Sequence, residues 1–206
     1  EAGKRGVGTD GSETFEAEPK YRRFFALKNR LDFYGTVSEH FKVSSSFGNK
    51  NTQNINLISI PSIFYGSKVK PGTVSLKWYY TGSLIGELRD EKRNGELIQT
   101  GPAGSTGSGS VAGVIMYNEG FVLLTGSWGL STEAIRLISG SSTDVSASWL
   151  YFGAGALDDV STNTAGDSYA SASFNLSFDG TSDVQVLTMF AHAKKGEVNN
   201  SNNPTF

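Results

Sequence analysis

Residues 111–128 read VAGVIMYNEGFVLLTGSW, two apolar runs on either side of Asn118-Glu119-Gly120. A short connection with glycine where positive φ is required predicts a tight hairpin. Its arms are almost continuously apolar instead of alternating. Both strands are therefore expected to be buried on two faces, within the chain or between subunits. A different pattern occupies residues 73–80, where Val74, Leu76 and Trp78 alternate with their neighbours and predict a strand with one buried face. Thr81-Gly82 turns this strand into another over 83–89, and Asn94-Gly95 leads into a third over 96–100. Residues 56–65 (NLISIPSIFY) carry Pro61, which restricts them to an edge or bulged strand. Further on, 132–139 fits either a strand or a short helical turn, and 147–152 (ASWLYF) a short apolar strand. Residues 172–178 and 184–193 predict a hairpin across Asp179-Gly180-Thr181-Ser182.

One helix is expected. Over residues 19–43, Phe24, Leu27, Leu31, Tyr34, Val37 and Phe41 recur three or four apart and make one apolar face. Pro19 suits a first helical turn. Gly35 weakens the middle by about 1 kcal/mol relative to Ala, so a break there, or an extended conformation, is the alternative. Residues 1–18 hold four Gly and no apolar run, and read as an extended arm, disordered alone or pinned by a neighbour. Residues 44–56, 101–110 (GPAGSTGSGS) and 153–167 read as loops, the second of them flexible by composition, and 194–206 as a polar tail. The expected architecture is a single mainly β domain over 19–206, β-sandwich or jelly-roll-like, with eight to ten short strands. Its edges would need covering, which a neighbouring subunit can do.

Composition sharpens this. Charged residues are 18% of the chain, against about a quarter in an average domain. Polarity comes instead from 27 Ser, 16 Thr and 13 Asn, beside 25 Gly, a mixture that favours strands and turns over long helices. The chain has no Cys, which excludes disulfide and thiolate chemistry. No apolar run approaches the roughly 18 residues of a spanning helix, so no membrane association is expected. Glu1 in place of Met suggests a processed start or a longer parent polypeptide. The net charge of −2 is unevenly spread. Residues 19–50 carry seven Lys/Arg against two Asp/Glu, whereas 141–206 carry two Lys against seven Asp/Glu. These are either two solvated faces or complementary ends that steer subunits together.

Candidate chemistry is sparse. The chain has two His, His40 and His192; His192 and Glu197 are five apart, a spacing that suits neither a helical nor a strand metal site. Asp158, Asp159 and Asp167 could offer loop carboxylates to calcium, although loop solvation accounts for them. Gly82-Ser83 and Gly126-Ser127 belong to turns and not to a nucleophile elbow. The glycine-rich 101–109 lacks the Gly-Lys-Ser/Thr of a phosphate loop. Residues 20–30 interleave basic side chains with Tyr21, Phe24 and Phe25, a nucleic-acid-like mixture, but these aromatics suit the helix's apolar face better. Trp78, Tyr79, Tyr80, Trp128, Trp149 and Tyr151 could form a sugar-stacking platform, or belong to the core or an interface. Asn175-Leu-Ser and Asn199-Asn-Ser match the N-glycosylation pattern, a match of no weight in a chain so rich in Asn and Ser. No catalytic, metal or cofactor-binding residue is assigned, and a non-enzymatic role without cofactors is expected.

Four stretches carry a resemblance: LKNRLDFYGTVSEHF (27–41), SIPSIFYGSKVKPGTVSLKWYYTGSLIGELRDEKRNGELIQT (59–100), VAGVIMYNEGFVLLTGSW (111–128) and LTMFAHAKKGEVNNSNNPTF (187–206). Their wording resembles virion structural proteins of tailed bacteriophages, nearest those with T4-like contractile tails that infect aquatic bacteria. The resemblance spans most of residues 27–206. It implies a structural component of the virion, in the tail, baseplate or fibre-attachment region rather than the capsid shell. It also implies assembly with other virion proteins and copies of the same chain, and it supplies no catalytic residues. The alternative left open by the residues is a lectin-like β-sandwich module that recognises surface glycans through exposed aromatics.

Overall fold

A computed structural model of the chain describes residues 6–7, 13–14, 19–132, 134–136, 144–153, 172–190 and 192. The fold is mainly β, with one helix near the N-terminus and a large curled antiparallel sheet, and is β-sandwich-like. The sheet contains β1 (Asn56–Ser59), β2 (Ser75–Tyr80), β3 (Ser83–Arg89), β4 (Glu96–Gly101), β5 (Val111–Met116), β6 (Phe121–Leu124) and β7 (Ala172–Ser177). Its order is β7-β2-β3-β4-β5-β6-β1. The five central strands form a meander; β1 joins one side of it and β7 the other. The order leaves β1 and β7 as the two edges.

The two sequence patterns correspond to two kinds of strand. Alternating β2 sends Leu76, Trp78 and Tyr80 into the concave interior with β3's Leu88. On its other face Lys77 lies opposite Glu87 of β3, with their charged groups 3.7 Å apart and both side chains partly buried. An antiparallel sheet can face water on one side in this way. The apolar hairpin has no such face. Ala112, Ile115, Val122 and Leu124 point into the interior, while Val114, Met116 and Leu123 point outward under a second layer. The odd spacing of Ala112 and Ile115 reflects a bulge, because the β4–β5 register shifts between Val111 and Gly113. Gly120 closes the turn with φ +66°. Both hairpin faces are thus buried within the chain, which removes the alternative of burial between subunits.

The outer layer is helix α1 (Pro19–Tyr34) and the turns that follow it. Leu27 and Leu31 of α1, with Phe41 and Val43, cover Val114, Met116 and Leu123. The helix stops where Gly35 stood in the apolar pattern. Its N–H bonds Leu31 O at 3.0 Å and Asp32 O at 3.1 Å, and the chain turns back so that Val43 N donates to Asp32 Oδ1 at 3.1 Å. Phe41 is therefore buried from a turn, and Val37, expected on the helical face, is exposed. Arg30 Nε donates to Glu119 Oε1 at 2.7 Å, and Asn118 Nδ2 to the Tyr34 hydroxyl at 3.1 Å, clasping the helix end to the hairpin turn.

Residues expected as a strand over 147–152 form a 3-10 turn, Trp149–Tyr151, which drops Trp149 into the interior. There it meets Trp78 with ring centroids 6.3 Å apart, and Phe152 packs on Phe174 at 5.0 Å. Gly86 of β3 makes room: a Cβ at that position would lie 2.7 Å from Trp149 Cζ2. Gln99 of β4 is fully bonded in this core. Its Oε1 accepts from Trp128 Nε1 at 2.7 Å and Trp149 Nε1 at 2.9 Å, and its Nε2 donates to Ser105 Oγ and Thr106 O. The glycine-rich stretch 101–110, expected to be flexible, is accordingly pinned, with further main-chain bonds from Gln99 N to Ser110 O and from Gly109 N to Gln99 O.

Residues 132–139, ambiguous in sequence, contribute strand Ala134–Arg136, paired with Asp144–Ser146. Three other parts of the expected organisation fall largely or wholly outside the described residues. Of the arm 1–18, the described pieces are Gly6–Val7 paired with Glu13–Thr14, and nothing is described of the tail 194–206 or of the loop 154–167.

Leu31→Ala should lower stability by about 2–5 kcal/mol in chemical denaturation, since it opens a cavity between α1 and the hairpin. Gln99→Leu leaves two indole N–H groups unpaired. It should cost about 1–3 kcal/mol for each and shift tryptophan fluorescence in the folded state.

Candidate functional site

The strand edges carry the most distinctive surface. β1 pairs only with β6, and β7 only with β2, so each leaves one side of its backbone free among the described residues. The curl brings both edges to one groove of about 500 Å³, lined by Ile58, Ile60, Pro61 and Phe64 on one side and Leu176 and Phe178 on the other. Pro61 ends β1, as the sequence suggested, and caps the 3-10 turn Ser62–Phe64. That turn holds Ile63 and Phe64 in solvent beside the groove. One end of the groove is tied shut. Thr181 N donates to Tyr65 O at 3.1 Å, Ser67 N to Thr181 O at 2.8 Å, and Lys70 N to Asp179 O at 2.8 Å.

These same bonds overturn the expected hairpin of 172–178 with 184–193. Residues 179–182 are the expected turn, but the main chain of Asp179 and Thr181 is used by Tyr65, Ser67 and Lys70. The partner of β7 is β2 instead. Beyond Asp183, whose N–H donates to Ser67 Oγ at 2.9 Å, the chain leaves the sheet. None of residues 184–190 makes a hydrogen bond within the described structure. Val184, Val186, Leu187, Met189 and Phe190 are 81–92% exposed. The stretch VQVLTMF has no charge, Gly or Pro, and is strongly β-forming. Burying each large apolar side chain would contribute about 1.5–3 kcal/mol.

The aromatics singled out as a stacking platform are placed differently. Trp78, Tyr80 and Trp149 are core, while Tyr79, Trp128 and Tyr151 are half-buried. Trp128 spends its indole N–H on Gln99. His40 is half-buried and stacks on Phe47 at 3.9 Å; burial pushes its pKa below the ordinary value. His192 is exposed. Among the described residues no group of three or more His, Cys, Asp or Glu could hold a metal ion. Glu197, Asp158, Asp159, Asp167 and Asn199 lie outside them, as do the side chains of Tyr21, Phe24 and Phe25. Ser83 and Ser127 are exposed, Ser83 at the start of β3 and Ser127 beyond the end of β6, and Asn175 is exposed on β7.

One polar cluster escaped the sequence reading. Ser38 donates to Glu96 Oε1, and Lys92 Nζ to Glu96 Oε2 at 2.7 Å. The ring of His40 lies on Phe47, and only its backbone N–H reaches Ser38 Oγ, at 3.1 Å. No histidine is thereby placed to activate the serine, and the cluster ties the turn after α1 to β4. The Lys92–Glu96 spacing was visible in sequence, but nothing there brought Ser38 to it.

No helix among the described residues is long and apolar enough to cross a membrane. Comparison of the chain with protein-family models, curated proteins and solved structures finds no match.

Burial opposes the charge on Glu96, but the bonds from Lys92 and Ser38 outweigh it and hold the carboxyl below its ordinary 4.5. A depressed acid stabilises the fold fully above its unfolded pKa and loses that contribution as pH falls through the folded one. Wild-type stability, measured by denaturation from about pH 6 down to about pH 3, should therefore decline more than that of Glu96→Gln.

Proposed function

We propose that this chain is a non-enzymatic structural subunit of a bacteriophage particle, acting by assembly in the virion with copies of itself and with other virion proteins. The observation that carries assembly is the uncharged stretch 184–190, which projects five large apolar side chains and pairs with nothing described. An exposed apolar segment of high strand propensity is a natural candidate to pair with the sheet edge of another chain. The hairpin 111–128 has no part in that contact, because its two faces are covered by the helix and the interior. The phage assignment, with a tail, baseplate or fibre-attachment position, is supported by the resemblance of 27–41, 59–100, 111–128 and 187–206. The uneven charge, basic over 19–50 and acidic over 141–206, suits subunits that meet in a fixed orientation. The role requires no cofactor.

The glycan-binding alternative rests on exposed aromatics, and no observation favours it while Trp78, Tyr80 and Trp149 lie in the core. Light scattering of the purified chain across a range of concentrations checks the assembly reading. A discrete oligomer, or a mass that grows with concentration, is expected. A monomer at every concentration would overturn self-assembly.

A further inference from the structure

We infer that residues 183–190 of one copy add as a strand to the free edge of β7 in a second copy, filling the groove between β7 and β1. The inference rests on the assembly reading and names the contact that performs it.

Four observations meet here. First, among the described residues β7 offers six residues of unpaired edge, whereas β1 offers four before Pro61. Its Ala172, Phe174 and Leu176 face the interior but remain partly exposed, with no strand beside them on that side among the described residues. Second, the groove beside this edge is walled by apolar side chains from both edges. Third, the segment matches what such a slot demands. Val184, Val186 and Phe190 fall on one face of an extended chain, and Leu187 and Met189 on the other. A strand apolar on both faces belongs between two layers, which the interior on one side and Phe64 with Pro61 on the other provide.

Fourth, the segment does not pair with its own β7 in this fold, and its exit from the sheet is fixed elsewhere. The bonds of Asp179 and Thr181 to Lys70, Tyr65 and Ser67 fix where the chain leaves the sheet. Gly180 packs so closely on Tyr65 that a Cβ would lie 2.5 Å from the Tyr65 carbonyl oxygen, so this crossing is tight as well as hydrogen-bonded. Folding back as a hairpin would require all of it to be undone. A second copy can present the same segment to the groove without disturbing either chain.

The absence of cysteine makes the test direct. Ser177→Cys on β7 is to be mixed, at high concentration and under mild oxidation, with a differently tagged chain bearing Gln185→Cys, Leu187→Cys or Met189→Cys. Adjacent strands bring Cα atoms within about 5.5 Å, inside the reach of a disulfide. All four positions are exposed, so the fold should survive, as circular dichroism will show. Cross-linked heterodimer well above that formed with Thr52→Cys, an exposed residue in a loop, is expected for at least one pair. Leu187→Asp with Val186→Asp should lower the mass seen by light scattering to that of a monomer. If the wild type is oligomeric but no pair cross-links above the control, or the Asp variant stays oligomeric, this contact is wrong while the assembly reading stands. A monomeric wild type would overturn both. Efficient intrachain cross-linking of Ser177→Cys with Leu187→Cys in one chain at high dilution would show closure in cis and overturn the exchange.

Discussion

Burial of one hairpin on both faces governs the rest of this molecule. β5 and β6 cannot expose either side without losing the contribution of Val114, Met116 and Leu123, or that of Ile115, Val122 and Leu124. The first set requires an outer layer, which α1 and Phe41 supply. The second requires an interior, which forms when the other strands curl around. The bulge at Val111–Gly113 permits both, because it shifts the alternation within β5 and strengthens local twist. The clasp from Arg30 to Glu119 holds the helix over the turn of the same hairpin. It is an exposed pair and orients more than it stabilises.

A sheet curled around an interior must fill it. Here β3 gives up a side chain at Gly86, and the turn Trp149–Tyr151 inserts the indole of Trp149 into the space. An indole brings a donor into a dry place, and an unmet donor is costly. Gln99 resolves that for Trp128 and Trp149 together, through one carbonyl oxygen, and uses its amide N–H groups to hold 101–110. The buried carboxylate of Asp90, in the turn between β3 and β4, works similarly, accepting from Gly72 N at 2.7 Å, Gly95 N at 3.2 Å and the Tyr117 hydroxyl. Burial and the neighbouring Asp90 both raise the Tyr117 pKa, so its proton stays on the phenol where the bond needs it. Local chain segments are thus fixed by a few saturated polar nodes set in apolar surroundings.

What could be read from the sequence was whatever had a period. The alternation of Val74, Leu76 and Trp78, the continuous runs of the 111–128 hairpin, and the spacing of Leu27 and Leu31 each stated their own geometry. Gly35 and Pro61 marked real boundaries because their backbones act locally. The failures share a different cause. Residues 147–152 are short and apolar without a period, and only the unfilled interior decides that they turn instead of extending. Residues 101–110 look loose because the side chain that holds them, Gln99, lies outside the stretch. The hairpin of 172–178 with 184–193 failed because its turn residues are used by residues 65–70, over a hundred positions away. The candidate surface was hidden for the same reason, since β1 and β7 meet only after the sheet has curled.

The central strands of this sheet carry charge on their outward face, whereas its two edge strands carry none. On β2 and β3, Lys77, Glu87 and Arg89 charge the outward positions. Charges, prolines and short strands are the usual defence against unwanted pairing. β1 has the brevity and the proline. β7 has neither charge nor proline, and its outward residues are Ser173, Asn175 and Ser177. The stretch 184–190 is likewise undefended, although it combines high β propensity with apolar character, which invites pairing. Undefended edge and undefended strand occur together, separated along the chain by the tightly crossed residues 179–181 that keep them apart within one copy. In the proposed exchange each of these bare surfaces would be the other's partner in a neighbouring chain, and assembly would complete the sheet that folding leaves open.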